Sequence, residues 1–160
     1  MSHDEKDLVI GNVYNKFQTG NPIARWIVSN YIRTLKSFLS LIQPASILEV
    51  GCGEGFILDC IQDNLPNATT SALDISYEMV SLTKERVDLA YAVVGTAGRL
   101  PFPGNCFDLV VCVEVLEHLD NPMRAIDELA RVASKNVITS VPNEPLWRVM
   151  NIARGAYPGN

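Results

Sequence analysis

Apolar positions along the chain follow a helical period first and then a series of short continuous runs. Asn21-Pro22 opens the first stretch, since Asn caps helices and Pro is favoured in a first turn, where its missing N–H would be unpaired anyway. Ile23, Ile27, Tyr31, Leu35, Phe38 and Ile42 then keep one helical face until Pro44 stops it. From Ser46 onward the pattern alternates. Strands are expected over 46–50, 69–73, 91–94, 107–113 and 136–141, with helices over 56–65, 76–87, 122–134 and 145–154. Leu58, Ile61 and Leu65 share a face of the helix at 56–65, and Met123, Ile126, Leu129 and Ala133 are expected to point inward from the one at 122–134. Ser76 is placed to cap its helix, and residues 96–105, with Pro101, Pro103 and Gly104-Asn105, read as loop.

Nearly continuous apolar strands, each followed by a helix, indicate an α/β fold: a doubly wound, mostly parallel sheet covered on both faces. No repeat or low-complexity segment interrupts the chain. One domain is therefore expected over 1–160, with a helical segment at 1–45, a Rossmann-like core at 46–141 and a C-terminal helix and tail at 142–160. Ligands of such sheets bind beyond the carboxyl ends of the strands, where the strand order reverses.

Composition narrows the function. Of 160 residues, 48% are hydrophobic and 19% charged, a globular balance. The net charge of −5 argues against a chain built to neutralise a nucleic-acid backbone. No apolar run reaches the ~18 residues that span a bilayer, and the polar start Met1-Ser-His-Asp-Glu has no leader-like apolar region. A cytoplasmic protein is the expectation. Cys52, Cys60, Cys106 and Cys112 form no Cys-x-x-Cys pair, and the histidines are His3 and His118, so no metal is expected.

The densest chemical signal is Ile47-Leu-Glu-Val-Gly-Cys-Gly-Glu-Gly55, a strand running into alternating glycines and then a helix. Glycines suit a sharp turn or a ligand's close approach, and the helix start offers free N–H groups; a tight turn without ligand is the plainer alternative. The Gly51-x-Gly53-x-Gly55 spacing differs from the dinucleotide fingerprint. Glu49 just before it would repel a pyrophosphate but suits an ammonium and a sulfonium. Asp74, ending the next strand, can accept both hydroxyls of a ribose or serve only as a turn residue. Short-chain dehydrogenases need Tyr-x-x-x-Lys, phosphate-loop enzymes Gly-Lys-Ser/Thr and serine hydrolases Gly-x-Ser-x-Gly; none occurs.

Taken in order, Glu49-Val-Gly-Cys-Gly-Glu-Gly55, Leu73-Asp-Ile-Ser76, Leu100-Pro-Phe-Pro-Gly-Asn-Cys-Phe-Asp108 and Glu114-Val-Leu-Glu-His-Leu119 resemble the successive motifs of class I S-adenosylmethionine-dependent methyltransferases, most closely the type 11 branch, which acts mostly on small molecules and lipids. The resemblance runs from about Ile47 to Val141. It implies S-adenosylmethionine as cofactor, S-adenosylhomocysteine as product and a small-molecule acceptor. Glu49, Gly51 and Gly53, with Cys52 between the glycines, would flank the methionyl part, and Gly55 would pack the helix close. Asp74 would take the ribose and Ile75 the adenine ring. Thr96 stands where the family usually has an acidic residue for the adenine amino group, with backbone N–H groups at Thr96 and Ala97 as substitutes. Val113 and Glu114 would approach the methionyl moiety.

His118 invites a catalytic reading, because a helical turn would bring it and Glu114 to one face. A general base, a packing or hydrogen-bonding residue and a metal ligand all stay open. Tyr14 and Arg25, in the segment where the family forms a lid, could close over cofactor or substrate, or the segment could simply dock on the sheet. Members of the family usually continue past the fifth strand with two more. Here 136–141 would be an edge strand with an interior strand's composition, which points to a fragment, to a homodimer paired along that edge, or to cover by the last helix and Trp147. The alternative to a working methyltransferase is a non-catalytic cofactor-binding module, or a fragment that needs a partner to complete its substrate site.

Overall fold

A computed structural model describes residues 22–140. Five strands, β1 (Ser46–Val50), β2 (Thr69–Asp74), β3 (Tyr91–Val94), β4 (Phe107–Val113) and β5 (Ala133–Ser140), form one sheet in the order β3-β2-β1-β4-β5. Every pairing is parallel. The order reverses between β1 and β4, so Glu49 in β1 stands at the switch point.

Helix α1 (Pro22–Ile42) and helix α2 (Phe56–Asn64) cover one face, where Leu35, Leu39, Ile57, Leu58 and Ile61 bury Ile47, Leu109 and Val111. On the other face helix α4 (Pro122–Val132) packs Ala125, Leu129 and Val132 against Leu48, Val50, Val110 and Cys112. Helix α3 (Tyr77–Arg86) is capped by the Ser76 hydroxyl, which accepts from Met79 N–H at 3.4 Å. The capping and the first four strands agree with the sequence reading.

Three details differ from it. In α1 the buried residue is Leu39, not Phe38, because Leu35 and Leu39 follow the i, i+4 row that meets the sheet. In α4 the inward row is Ala125, Leu129 and Val132, which leaves Met123 and Ile126 exposed; Ala133 is buried, but as part of β5. The helix also stops at Val132 instead of running to 134. Pairing with β4 takes over there: Cys106 N–H donates to Val132 O at 2.9 Å, Ala133 sits opposite Phe107, and Ser134 Oγ donates to Phe107 O at 3.1 Å.

The loop between β3 and β4 is held from outside. Arg131 grips Glu128 with two nitrogens, at 2.6 and 2.8 Å, and donates to the carbonyls of Leu100 and Phe102 at 3.0 and 2.9 Å. Glu128 in turn accepts from Leu100 N–H at 2.7 Å. A stretch with two prolines cannot form a ladder of its own, so side chains from α4 fix its course. Tyr14, Val141 and the expected helix at 145–154 lie outside the described residues, as does the side chain of Arg25 in the first turn of α1.

Candidate functional site

The carboxyl ends of β1, β2, β4 and β5 lie along one edge of the parallel sheet. Gly51, Gly53 and Gly55 all hold positive φ, at 77°, 52° and 80°. At Gly51 the requirement is steric as well as conformational, since a Cβ there would stand 2.3 Å from Val115 Cγ2. At Gly53 a Cβ would meet nothing within 4 Å, so the loop presents a bare, open backbone. Leu73 O anchors the loop by accepting from Gly51 N–H at 2.7 Å and Cys52 N–H at 3.1 Å.

Asp74 is 9% exposed, and its two oxygens do separate work. Oδ2 accepts from Gly53 N–H and Oδ1 from Ser76 N–H, each at 2.9 Å. The carboxylate thus ties the glycine loop to the end of β2, and each oxygen keeps a further lone pair for a ligand. Thr83 completes the clamp from α3. Its buried hydroxyl donates to Gly53 O at 2.8 Å. Its hydroxyl also lies 3.4 Å from Cys52 Sγ. Burial, then the neighbouring Glu49, push the Cys52 thiol up to about 12, so it stays protonated. Sequence reasoning missed Thr83, because nothing local marks one threonine in a helix as the partner of a loop thirty residues earlier.

Glu49 is 2% exposed and points to the same face as Asp74. Burial first, and the nearby Asp74 second, raise its carboxyl well above the usual range, against the pull of a Leu58 backbone hydrogen bond. Its Oε2 is buried with no hydrogen-bond partner. A buried carboxyl oxygen without a partner is costly unless some group pairs with it.

The remaining candidates are distributed unevenly. Ile75 is 54% exposed beside Asp74, so its side chain is free to lie against a flat ring. Thr96 is exposed, and its hydroxyl accepts from Gly98 N–H at 3.3 Å; Ala97 is buried. Val113 ends β4, and Glu114 follows it with φ 55°, a conformation that costs a non-glycine residue about 1–2 kcal/mol. That turn corrects the expected pairing of Glu114 and His118 on one helical face. The short helix here is a 3-10 turn over Leu116–His118 that begins only after Glu114 has left helical geometry. His118 is exposed, with its backbone N–H donating to Val115 O at 3.0 Å.

Two further polar groups reach the same face. Tyr31 of α1 and Ser140 at the end of β5 have buried hydroxyl oxygens with no well-formed hydrogen bond. Burial, followed by Glu49 and Glu114, raises the Tyr31 phenol, which places it in the same electrostatic neighbourhood. The only signal for it in the sequence was its place on an apolar stripe, where a tyrosine reads as core.

The model of the methyltransferase-domain family matches residues 48–140, which contain the glycine loop, Asp74 and Glu114. The chain belongs to that family. It is a class I, type 11 S-adenosylmethionine-dependent methyltransferase domain by sequence. A malonyl-[acyl-carrier protein] O-methyltransferase of Neorickettsia risticii is 28% identical over 103 residues, covering 64% of this chain and 40% of that protein. Ajmaline N-methyltransferase of Rauvolfia serpentina is 29% identical over 105 residues, covering 58% of this chain and 33% of that one. The chain thus spans less than half the length of the curated relatives it matches. The plantazolicin methyltransferase BpumL, solved with a triazolic desmethylPZN analogue and S-adenosylhomocysteine, superposes with a TM-score of 0.58 at 23% identity, over 78% of this chain and 55% of that chain. The likeness shows the fold. Among the described residues no helix is long and apolar enough to cross a membrane, and no three His, Cys, Asp or Glu side chains gather as metal ligands would.

Proposed function

We propose that this domain binds S-adenosylmethionine across the ends of β2, β1 and β4 and transfers its methyl group to a small-molecule acceptor. The observation that carries the reading is the shared face of Asp74 and Glu49 on either side of the bare Gly53 backbone. Asp74 would accept the ribose hydroxyls with the lone pairs that Gly53 and Ser76 leave free. Ile75 would lie against the adenine, with Thr96 and Ala97 at its edge. Glu49 would take the methionyl ammonium, which removes the penalty of its unpaired oxygen. Val113 and Glu114, where the backbone leaves β4, would border the methionyl end.

The bound cofactor would supply an activated methyl on a sulfonium. Displacement by the acceptor's lone pair would form the new bond to that carbon and return the carbon–sulfur electron pair to sulfur. Such a displacement needs alignment more than proton transfer, so the protein's task is to hold the acceptor in line and keep water away. The relatives named above methylate, by their names, an oxygen in one case and a nitrogen in the other, so membership alone leaves the acceptor atom open.

β5 is the edge of the described sheet, and its Val137 is 40% exposed. A second copy paired along that edge is the protein partner this reading carries, with a molar mass from light scattering as its test.

Titration of the 160-residue chain with S-adenosylmethionine, S-adenosylhomocysteine and NAD, followed by thermal shift, tests the cofactor. A ligand that binds only the native state at 100 times its dissociation constant adds about 2.7 kcal/mol. A rise in Tm with the first two and none with NAD is expected. A rise with NAD alone overturns the reading.

A further inference from the structure

The carboxyl edge of the sheet holds more polar groups than the cofactor reading uses. Glu49 Oε2 is accounted for by an ammonium, but Tyr31 Oη and Ser140 Oγ are buried on the same face with no well-formed hydrogen bond, near enough to interact with each other and with nothing else among the described residues to satisfy them. Native proteins rarely leave buried polar capacity unused, so two facing hydroxyls with nothing but each other at one end of a sheet mark a place where a ligand can supply further partners.

Their position in the register separates them from the cofactor's ribose end. Asp74 ends β2 and Ser140 ends β5, opposite Val113, three strand spacings or about 14 Å away across the sheet. Glu49 of β1 lies between them. A ligand with its ribose at Asp74 and its ammonium at Glu49 therefore has the Tyr31–Ser140 end ahead of it, where the methyl acceptor must enter. Tyr31 comes down onto this end from α1, and the Ser140 hydroxyl lies close enough to its phenol to act on it. The carboxyl groups of Glu49 and Glu114 border the same phenol.

We propose that Tyr31 and Ser140 form the acceptor subsite of this domain and that the group they take is an amine nitrogen. This rests on the cofactor reading above. Both hydroxyls can accept from an amine's N–H groups, which leaves the nitrogen lone pair free to face the methyl. The bordering Glu114 carboxyl group favours a nitrogen that gains positive charge as the methyl arrives, and it disfavours a carboxylate acceptor. An alcohol would satisfy one hydroxyl but gain nothing from the acidic surroundings. Tyr31 and Ser140 are positioning residues here, because they orient the nitrogen without joining the bond change.

The test uses the 160-residue chain saturated with S-adenosylhomocysteine and exposed in turn to n-butylamine, n-butanol and butyrate, read by saturation-transfer NMR. Binding of butylamine should exceed that of butyrate by about fivefold or more, the scale of one net hydrogen bond. Tyr31→Phe combined with Ser140→Ala should remove the excess while changing the dissociation constant of S-adenosylhomocysteine by no more than about twofold. Retained cofactor affinity is also the proof that the variant is folded, and its net charge is that of the parent, so a general attraction of amines to an acidic protein is controlled. Butyrate or butanol bound as well as butylamine, or an amine signal indifferent to the double variant, overturns the inference and leaves the cofactor reading standing. A tenfold loss of cofactor affinity in the variant overturns it too, by assigning the hydroxyls to the cofactor. A parent chain that binds no S-adenosylhomocysteine overturns the cofactor reading itself, and this inference with it.

Discussion

Asp74 Oδ2 accepts a hydrogen bond from Gly53 N–H at 2.9 Å, and that contact joins the two strongest motifs of the sequence into one device. The carboxylate proposed to read a ribose is also the clasp that keeps the glycine loop open beside it. Binding and loop geometry therefore fail together when the carboxylate is lost. Asp74→Ala should weaken S-adenosylhomocysteine binding by about 1.5–3 kcal/mol, the worth of a hydrogen bond to a charged group. Calorimetric titration measures it, and affinity equal to the parent's would remove the ribose from Asp74.

The glycines of the loop make separable predictions. Gly51→Ala forces a Cβ to 2.3 Å from Val115 Cγ2 at φ 77°, so it should cost about 2–4 kcal/mol of stability through overpacking and backbone strain. Gly53→Ala has no neighbour within 4 Å and should cost only the left-handed conformation, about 1 kcal/mol. The same methyl at Gly53 intrudes where a ligand would approach, so cofactor affinity should fall far more than Tm. Urea unfolding beside calorimetry separates the two variants.

Much of the framework of this candidate site was legible before any fold was known, and the reason is local. Strands β1 to β4 are short apolar runs bounded by Gly, Pro, Asn or Asp, and the glycine loop and Asp74 sit at the ends of two of them. What stayed hidden depends on distant partners. Thr83 matters because it reaches Gly53 O, and the end of α4 is decided by pairing with β4 rather than by anything near Val132. Met123 and Ile126 look as apolar as Leu129, and only the row that meets the sheet tells them apart. The Glu114–His118 relation failed because a left-handed Glu114 interrupts the helix that the spacing assumed.

The clamp on the β3–β4 loop predicts an acid-sensitive contribution. Glu128 is bound by Arg131 and by Leu100 N–H, which hold its carboxyl down at about 2, below the ordinary 4.5. A depressed carboxylate adds stability that is present above its unfolded value and lost as the pH falls through its folded one. The stability difference between the parent and Glu128→Gln should therefore be constant above about pH 5 and shrink towards pH 2, as urea midpoints across that range would record. Because the pair is partly exposed, added salt should reduce the difference. A gap that widens on acidification would contradict the assignment.

Glu49 predicts the opposite slope and links it to the ligand. Burial and Asp74 raise its folded value, so the free domain should be most stable where Glu49 is neutral and lose that part of its stability as the pH climbs from about 4.5 through the raised value. Glu49→Gln keeps the shape without the charge and should flatten this decline. A bound ammonium reverses the preference, because it favours the ionised carboxylate. Binding of S-adenosylhomocysteine should then release a proton and tighten with rising pH over the range in which Glu49 still holds one. Calorimetric enthalpies measured in buffers of different ionisation heat count that proton directly. Glu49→Gln should release none. A parent domain whose binding enthalpy is the same in every buffer throughout that range would show that the ligand's cation lies elsewhere than at Glu49.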